Sequence, residues 1–131
     1  MSMQTFSVRT TKTEELLDIT GEVIAAVKKS GVTGGLCCVY TPHTTAAITI
    51  NENADPDVRR DIIKGLRSLD FESVPFNHGE GNSPAHCKSS LVGCSETLII
   101  EGGSPVLGTW QGIYFCEFDG PRTRKVHVKI I

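Results

Sequence analysis

From Met3 to Arg9 the chain alternates, with Phe6 and Val8 on one side and Thr5, Ser7 and Arg9 on the other, the period-two pattern of a half-buried strand. The period then lengthens. Leu16, Leu17, Val23, Ile24 and Val27 recur at three- and four-residue spacing. They predict an amphipathic helix that Thr13 caps, that Glu14 and Glu15 favour at its positive end, and that Lys28, Lys29 and Gly31 close. Gly35 to Tyr40 and Thr44 to Ile50 are short apolar runs of strand type, the second rich in β-branched residues. Asp55-Pro56 reads as a cap followed by proline at the first helical position, and Val58, Ile62, Leu66 and Leu69 continue one apolar stripe. Ser73 to Asn82 is polar, with Pro75, Gly79 and Gly81, and predicts a loop; Ser83-Pro84 then opens a short helix that carries His86, Lys88 and Leu91 and stops near Gly93. Strands are predicted over Glu96–Glu101, Ile113–Phe118 and Lys125–Ile131, separated by Gly102-Gly103-Ser104-Pro105 and Asp119-Gly120-Pro121 turns.

Strands at both ends and a hairpin-rich C-terminal half predict an α+β fold. The expectation is a single domain over residues 1–131, an antiparallel or mixed sheet packed against two main helices plus a short third. A chain of 131 residues with 39% apolar content supports one core and leaves no room for a second domain. Its formal charge of −2 and scattered cations argue against nucleic acid as a partner. No run is long and apolar enough for a membrane span, and the polar start lacks the pattern of a signal peptide. The five cysteines show no CxxC spacing and read as reduced thiols, so the expected location is cytoplasmic. Arg59, Arg60, Lys64 and Arg67 oppose the apolar stripe of the second helix and read as a solvated face.

Three of the four histidines, His43, His78 and His86, fall in loops or at element ends beside acids, amides and glycines. That distribution fits metal ligation better than core filling, because three imidazoles with an open position make a catalytic type of site. His127 sits mid-strand and is left out. A second polar cluster, Asn51-Glu52-Asn53-Ala54-Asp55, leads from strand to helix: Asp55 is explained as a cap, whereas Glu52 has no structural duty in the pattern. In the strand Ile113–Phe118, Glu117 shares a face with Ile113 and Phe115 and therefore points to an apolar side. It needs a cation, a metal or a donor network, and Arg122 is the natural partner for Glu117, for Asp119 or for a bound phosphate.

The segments His43-Thr44-Thr45-Ala46-Ala47-Ile48-Thr49-Ile50-Asn51-Glu52-Asn53-Ala54-Asp55-Pro56, His78-Gly79-Glu80-Gly81-Asn82-Ser83-Pro84-Ala85-His86 and Leu107-Gly108-Thr109-Trp110-Gln111-Gly112-Ile113-Tyr114 through Arg122 together resemble the YjbQ family, also called the secondary thiamine-phosphate synthase family. The likeness runs nearly end to end; the family pattern often has aspartate where this chain has Pro84. It implies a compact α+β homotrimer, a metal or anion among the histidines near a subunit boundary, and a weak activity that joins a pyrimidine pyrophosphate to a thiazole phosphate with loss of pyrophosphate. The expected parts are a divalent metal, zinc first and magnesium second, on His43, His78 and His86. Glu52, Glu117 and His86 are the expected catalytic groups, and Arg122, Asn82, Gln111 and Asn51 hold a small phosphorylated metabolite. The alternatives are a metal-assisted hydrolase and a non-catalytic metal- or metabolite-binding homotrimer.

Overall fold

The computed structural model describes residues 3–131. Met1 and Ser2, included in the single-domain expectation, lie outside the described residues. The elements in chain order are β1 (Met3–Arg9), β2 (Glu15–Asp18), α1 (Thr20–Ser30), β3 (Gly35–Tyr40), β4 (Ala46–Glu52), α2 (Pro56–Arg67), α3 (Ser83–Val92), β5 (Ser95–Glu101), β6 (Ser104–Pro105), β7 (Gln111–Glu117) and β8 (Thr123–Ile130), with a short 3-10 turn at Phe71–Ser73. Every strand pair is antiparallel, in two hydrogen-bonded groups ordered β1-β8-β3-β5-β6 and β2-β7-β4.

The two groups pack face to face. Val39, Ile100, Val126 and Val128 of the larger sheet meet Ile48, Ile113 and Phe115 of the smaller, and Val23, Ala26 and Val27 of α1 complete this core. The outer face of the smaller sheet is also covered, because Leu16, Ala47, Tyr114 and Cys116 pack with Ala85 of α3 and with Ile62, Ile63 and Leu66 of α2. Strand β7 is thus buried on both sides from Gly112 onward, which is why its sequence runs apolar without alternation. Full burial of each large apolar side chain there contributes about 1.5–3 kcal/mol. Cys37 and Cys116 are buried free thiols, pushed up to about 11 and about 12 by desolvation, so they act as core filler.

The first helix begins later than its pattern predicts. Leu16 and Leu17 belong to β2, one facing each apolar layer, and Thr13 caps nothing; its carbonyl instead accepts from Gly120 N–H. Two leucines in succession fit a helix locally, but pairing with β7 satisfies their backbone and buries both faces. The helix stop at Gly31 is as predicted, with φ of 72°, and Asp55 caps α2 by accepting from Asp57 N–H at 2.9 Å. Gly102 and Gly103, both at positive φ, form the two-residue turn between β5 and β6, the geometry that right-handed strand twist favours. No helix among the described residues is long and apolar enough to cross a membrane.

Candidate active site

His43 is positioned by the end of a ladder. Strands β3 and β8 pair from Cys37–Ile130 to Tyr40–His127, and the next hydrogen-bonded place on β8 is Lys125, opposite Pro42. Proline has no N–H to give. Side chains take over: Thr41 Oγ1 donates to Lys125 O at 3.1 Å, and Lys125 N–H donates to His43 Nε2 at 2.9 Å. With Nε2 accepting, the ring is neutral and carries its proton on Nδ1. Partial burial holds the His43 pKa below its ordinary value, with Arg124, Arg122 and Lys125 adding to the shift and Glu117 opposing it.

Close enough for its charges to act on this histidine is a sealed ion pair. Glu117 is 0% exposed and Arg124 2%. Arg124 Nε donates to both carboxylate oxygens at 2.9 and 3.2 Å, its Nη2 donates to Glu117 Oε2 and, at 2.9 Å, to Thr45 Oγ1. Thr10 Oγ1 and Asp119 N–H complete the shell of the carboxylate at 2.8 and 3.1 Å. Glu117 needed a cation, as its strand face predicts, but the partner is Arg124. Arg122 lies in the turn before β8, half-exposed, and reaches Asp119 at 3.2 Å. The inward alternation of Val126, Val128 and Ile130, extended two residues back, points to Arg124; that was the signal available in the sequence. With its oxygens so occupied, Glu117 holds the surrounding structure together and is not placed as a base or a metal ligand.

His86 stands in the first turn of α3, and Asn82, the residue that precedes the helix, accepts Ala85 N–H and His86 N–H on its carbonyl. Its ring meets that of His78 edge to face, with centroids 5.5 Å apart, and His78 Nε2 lies 4.0 Å from Glu80 Oε1. His43 and His86 border one cavity of about 530 Å³, together with Thr41, Thr44, Ser90 and Cys94. The expected three-histidine metal centre is not formed within the chain: among the described residues no group of three or more histidine, cysteine or acidic side chains is placed to hold a metal ion. The physical reason is visible at His43, whose Nε2 lone pair is committed to the main chain of β8. The histidine donors left together are His78 and His86, one fewer than the three protein ligands of a catalytic zinc.

The remaining expected residues form two further groups. Asn82 Nδ2 donates to Asp119 Oδ2 at 2.9 Å, and Asp119 also accepts from Arg122, so Asn82 and Arg122 are tied together through one carboxylate. Asn51, Glu52 and Gln111 sit at the other end of the β4–β7 ladder, where Glu52 faces Gln111 while Ala46 faces Glu117. At about 3.4 Å per residue, six residues put Glu52 and Glu117 about 20 Å apart, so the two cannot serve one centre within a chain. Asn51 Oδ1 accepts from Glu52 N–H, Gln111 Oε1 accepts from Gly108 N–H at 2.8 Å, and Glu52 offers its carbonyl to the Tyr114 hydroxyl.

The antiparallel α+β fold recurs in other solved structures. The family model described as UPF0047 protein YjbQ-like matches residues 4–131, and the chain belongs to that family. A UPF0047 protein of Methanocaldococcus jannaschii is 59% identical over 126 residues, covering 96% of this chain and 91% of the relative. The UPF0047 protein YugU of Bacillus subtilis is 52% identical, covering 98% of each. A crystal structure of a family member from Clostridium acetobutylicum superposes with a TM-score of 0.95 at 55% identity, covering 98% of this chain and 99% of that one. A hypothetical protein from Aeropyrum pernix gives 0.94 at 38% identity, covering 100% and 98%.

Proposed function

We propose that the cavity between His43 and His86 is the catalytic pocket of an enzyme acting on a small phosphorylated substrate, and that its reaction joins a pyrimidine pyrophosphate to a thiazole phosphate, as the family likeness implies. The observation that supports this most is the pairing of a neutral, main-chain-tethered imidazole with a second histidine on the rim of one cavity. In the reaction the thiazole nitrogen forms the new C–N bond while pyrophosphate departs with the electron pair of the broken C–O bond. His43, with its proton on Nδ1, is suited to donate to the departing oxygen without carrying charge itself, and His86 supplies a second donor. Arg122, close enough for its charge to act on His43, steadies a phosphate at the edge.

The same reading makes the protein a homotrimer. Glu52, Asn51 and Gln111 lie too far from His43 to act in its own cavity, and Trp110 beside them is 62% exposed. Leu36, Tyr40 and Ile99 form a further exposed apolar set on the larger sheet, suited to contact between subunits. In the trimer the Glu52 end of one subunit joins the histidine cavity of the next. A divalent ion, zinc first and magnesium second, belongs on the His78–His86 pair, whose two imidazoles leave the other positions to water or phosphate oxygens.

The test is turnover of the two thiamine precursors by the wild type and by His86→Ala, with thermal unfolding as the check on folding. Loss of at least 100-fold in a folded variant is expected. Equal turnover, or none from either protein, overturns the enzyme reading.

A further inference from the structure

A second groove, of about 400 Å³, separates α2 from the segment that leads into β2 and shares no lining residue with the histidine cavity. Its walls carry four cations, Lys12, Arg59, Arg60 and Arg67, against two carboxylates, Glu14 and Glu15. Both carboxylates are already engaged. Glu14 accepts from Arg67 Nε and Lys88 Nζ, each at 2.6 Å, and Glu15 closes its own turn by accepting the N–H groups of Thr11 and Lys12 at 2.6 and 3.0 Å. Arg60 turns to the exposed Asp57. Arg59 is different. Its guanidinium lies over the Tyr114 ring, 5.2 Å from the centroid, and its Nε is sealed from solvent with no hydrogen-bond partner among the described residues. Asp18, the acid nearest in effect, accepts instead from Thr20 and Asn53.

A merely solvated helix face would be convex and would leave its arginines free to sway. Here Arg59 is fixed on an aromatic ring at the wall of a concavity, with excess positive charge around it and Leu16 and Ile63 as apolar flooring. We propose that this groove is a second binding site, separate from the histidine cavity, for a small molecule bearing a phosphate or diphosphate group, with Arg59 and Lys12 as its principal contacts. Guanidinium forks match phosphate oxygens in pairs, and the apolar floor accepts the organic portion of such a ligand.

The experiment titrates inorganic pyrophosphate by calorimetry into His86→Ala, which removes a donor from the first cavity, and into His86→Ala with Arg59→Gln. One binding event per chain is expected in the single variant, weakening as sodium chloride is raised, and a loss of affinity of at least ten-fold in the double variant. Should Arg59→Gln fail to fold, Lys12→Gln in the same background carries the test, with at least a three-fold loss expected. No binding by His86→Ala, or equal binding by the folded single and double variants, overturns the second site. Wild-type protein takes up two pyrophosphates per chain if both cavities bind it and one if only the groove does, so failure of the catalytic reading is seen separately.

Discussion

The two ends of the β4–β7 ladder carry a glutamate each, and the pair behaves in opposite ways. At the Ala46 end, Glu117 is sealed under the sheet, held by Arg124, Thr10 and the Asp119 N–H. At the Gln111 end, Glu52 is half-buried, and among the described residues no side-chain hydrogen bond ties its carboxylate. Residue type treats the two alike, strand alternation already turns Glu117 inward, and surroundings assign that one to architecture and leave the other unengaged. A buried charge must be matched in place, so its variation is paid in stability, whereas an open carboxylate can be altered with little effect on the fold.

The largest expected effect follows from breaking the sealed end. Glu117→Ala leaves Arg124 buried and unpaired and lowers stability by about 3–5 kcal/mol in urea denaturation, while the double change Glu117→Met with Arg124→Met recovers most of the loss. At the open end, Glu52→Gln shifts stability by no more than about 0.5 kcal/mol. Under the trimer proposal its turnover falls by about 100-fold. Mixed trimers of Glu52→Gln and His86→Ala subunits, reassembled after denaturation, then recover part of the activity that each variant alone lacks; no recovery would show that the two ends do not meet across subunits.

A smaller effect concerns pH. The folded-state pKa of His43 lies below its ordinary value, so over the interval between the two the unfolded chain binds more protons than the native one. Stability contributed by this group is therefore present above the unfolded value and fades as pH falls toward the folded one. Urea midpoints measured from about pH 5 to 7 should rise with pH, and the slope should be shallower in His43→Gln. Direct titration of the ring resonances gives the same shift independently, with Arg124, Arg122, Lys125 and Glu117 as the facing charges. A modest effect is expected at the loop before β7, where Gln111→Ala removes the Gly108 N–H bond and costs about 0.5–1 kcal/mol by thermal unfolding.

Period and punctuation made β1, β3, β5, β8, α2 and α3 legible, because each turns one face toward the rest of the fold and has a cap or turn residue at its boundary. β2 was not, since Leu16 and Leu17 are made into a strand by β7, nearly a hundred residues away. The candidate site was legible as a set of residue types and only partly as a constellation. His43 and His86 do share a cavity, and Asn82 and Arg122 do meet, through Asp119. The substitution of His43 for a missing ladder bond depends on Pro42 standing opposite Lys125, a register that no local pattern reports. Arg124 was hidden by its neighbours in a basic stretch, although the alternation of β8 marks it as the inward one.

The layering of β7 between two apolar surfaces also sets a hierarchy of opening. Its amides pair with β2 on one side and β4 on the other, under the inner core and under the α2–α3 layer together. No residue of α2 is fully buried, so this helix can lift away with modest loss of contact. Among the helices and strands, amide hydrogen–deuterium exchange should accordingly be fast in α2 and slowest in β7, whose protons are released only when the whole domain unfolds.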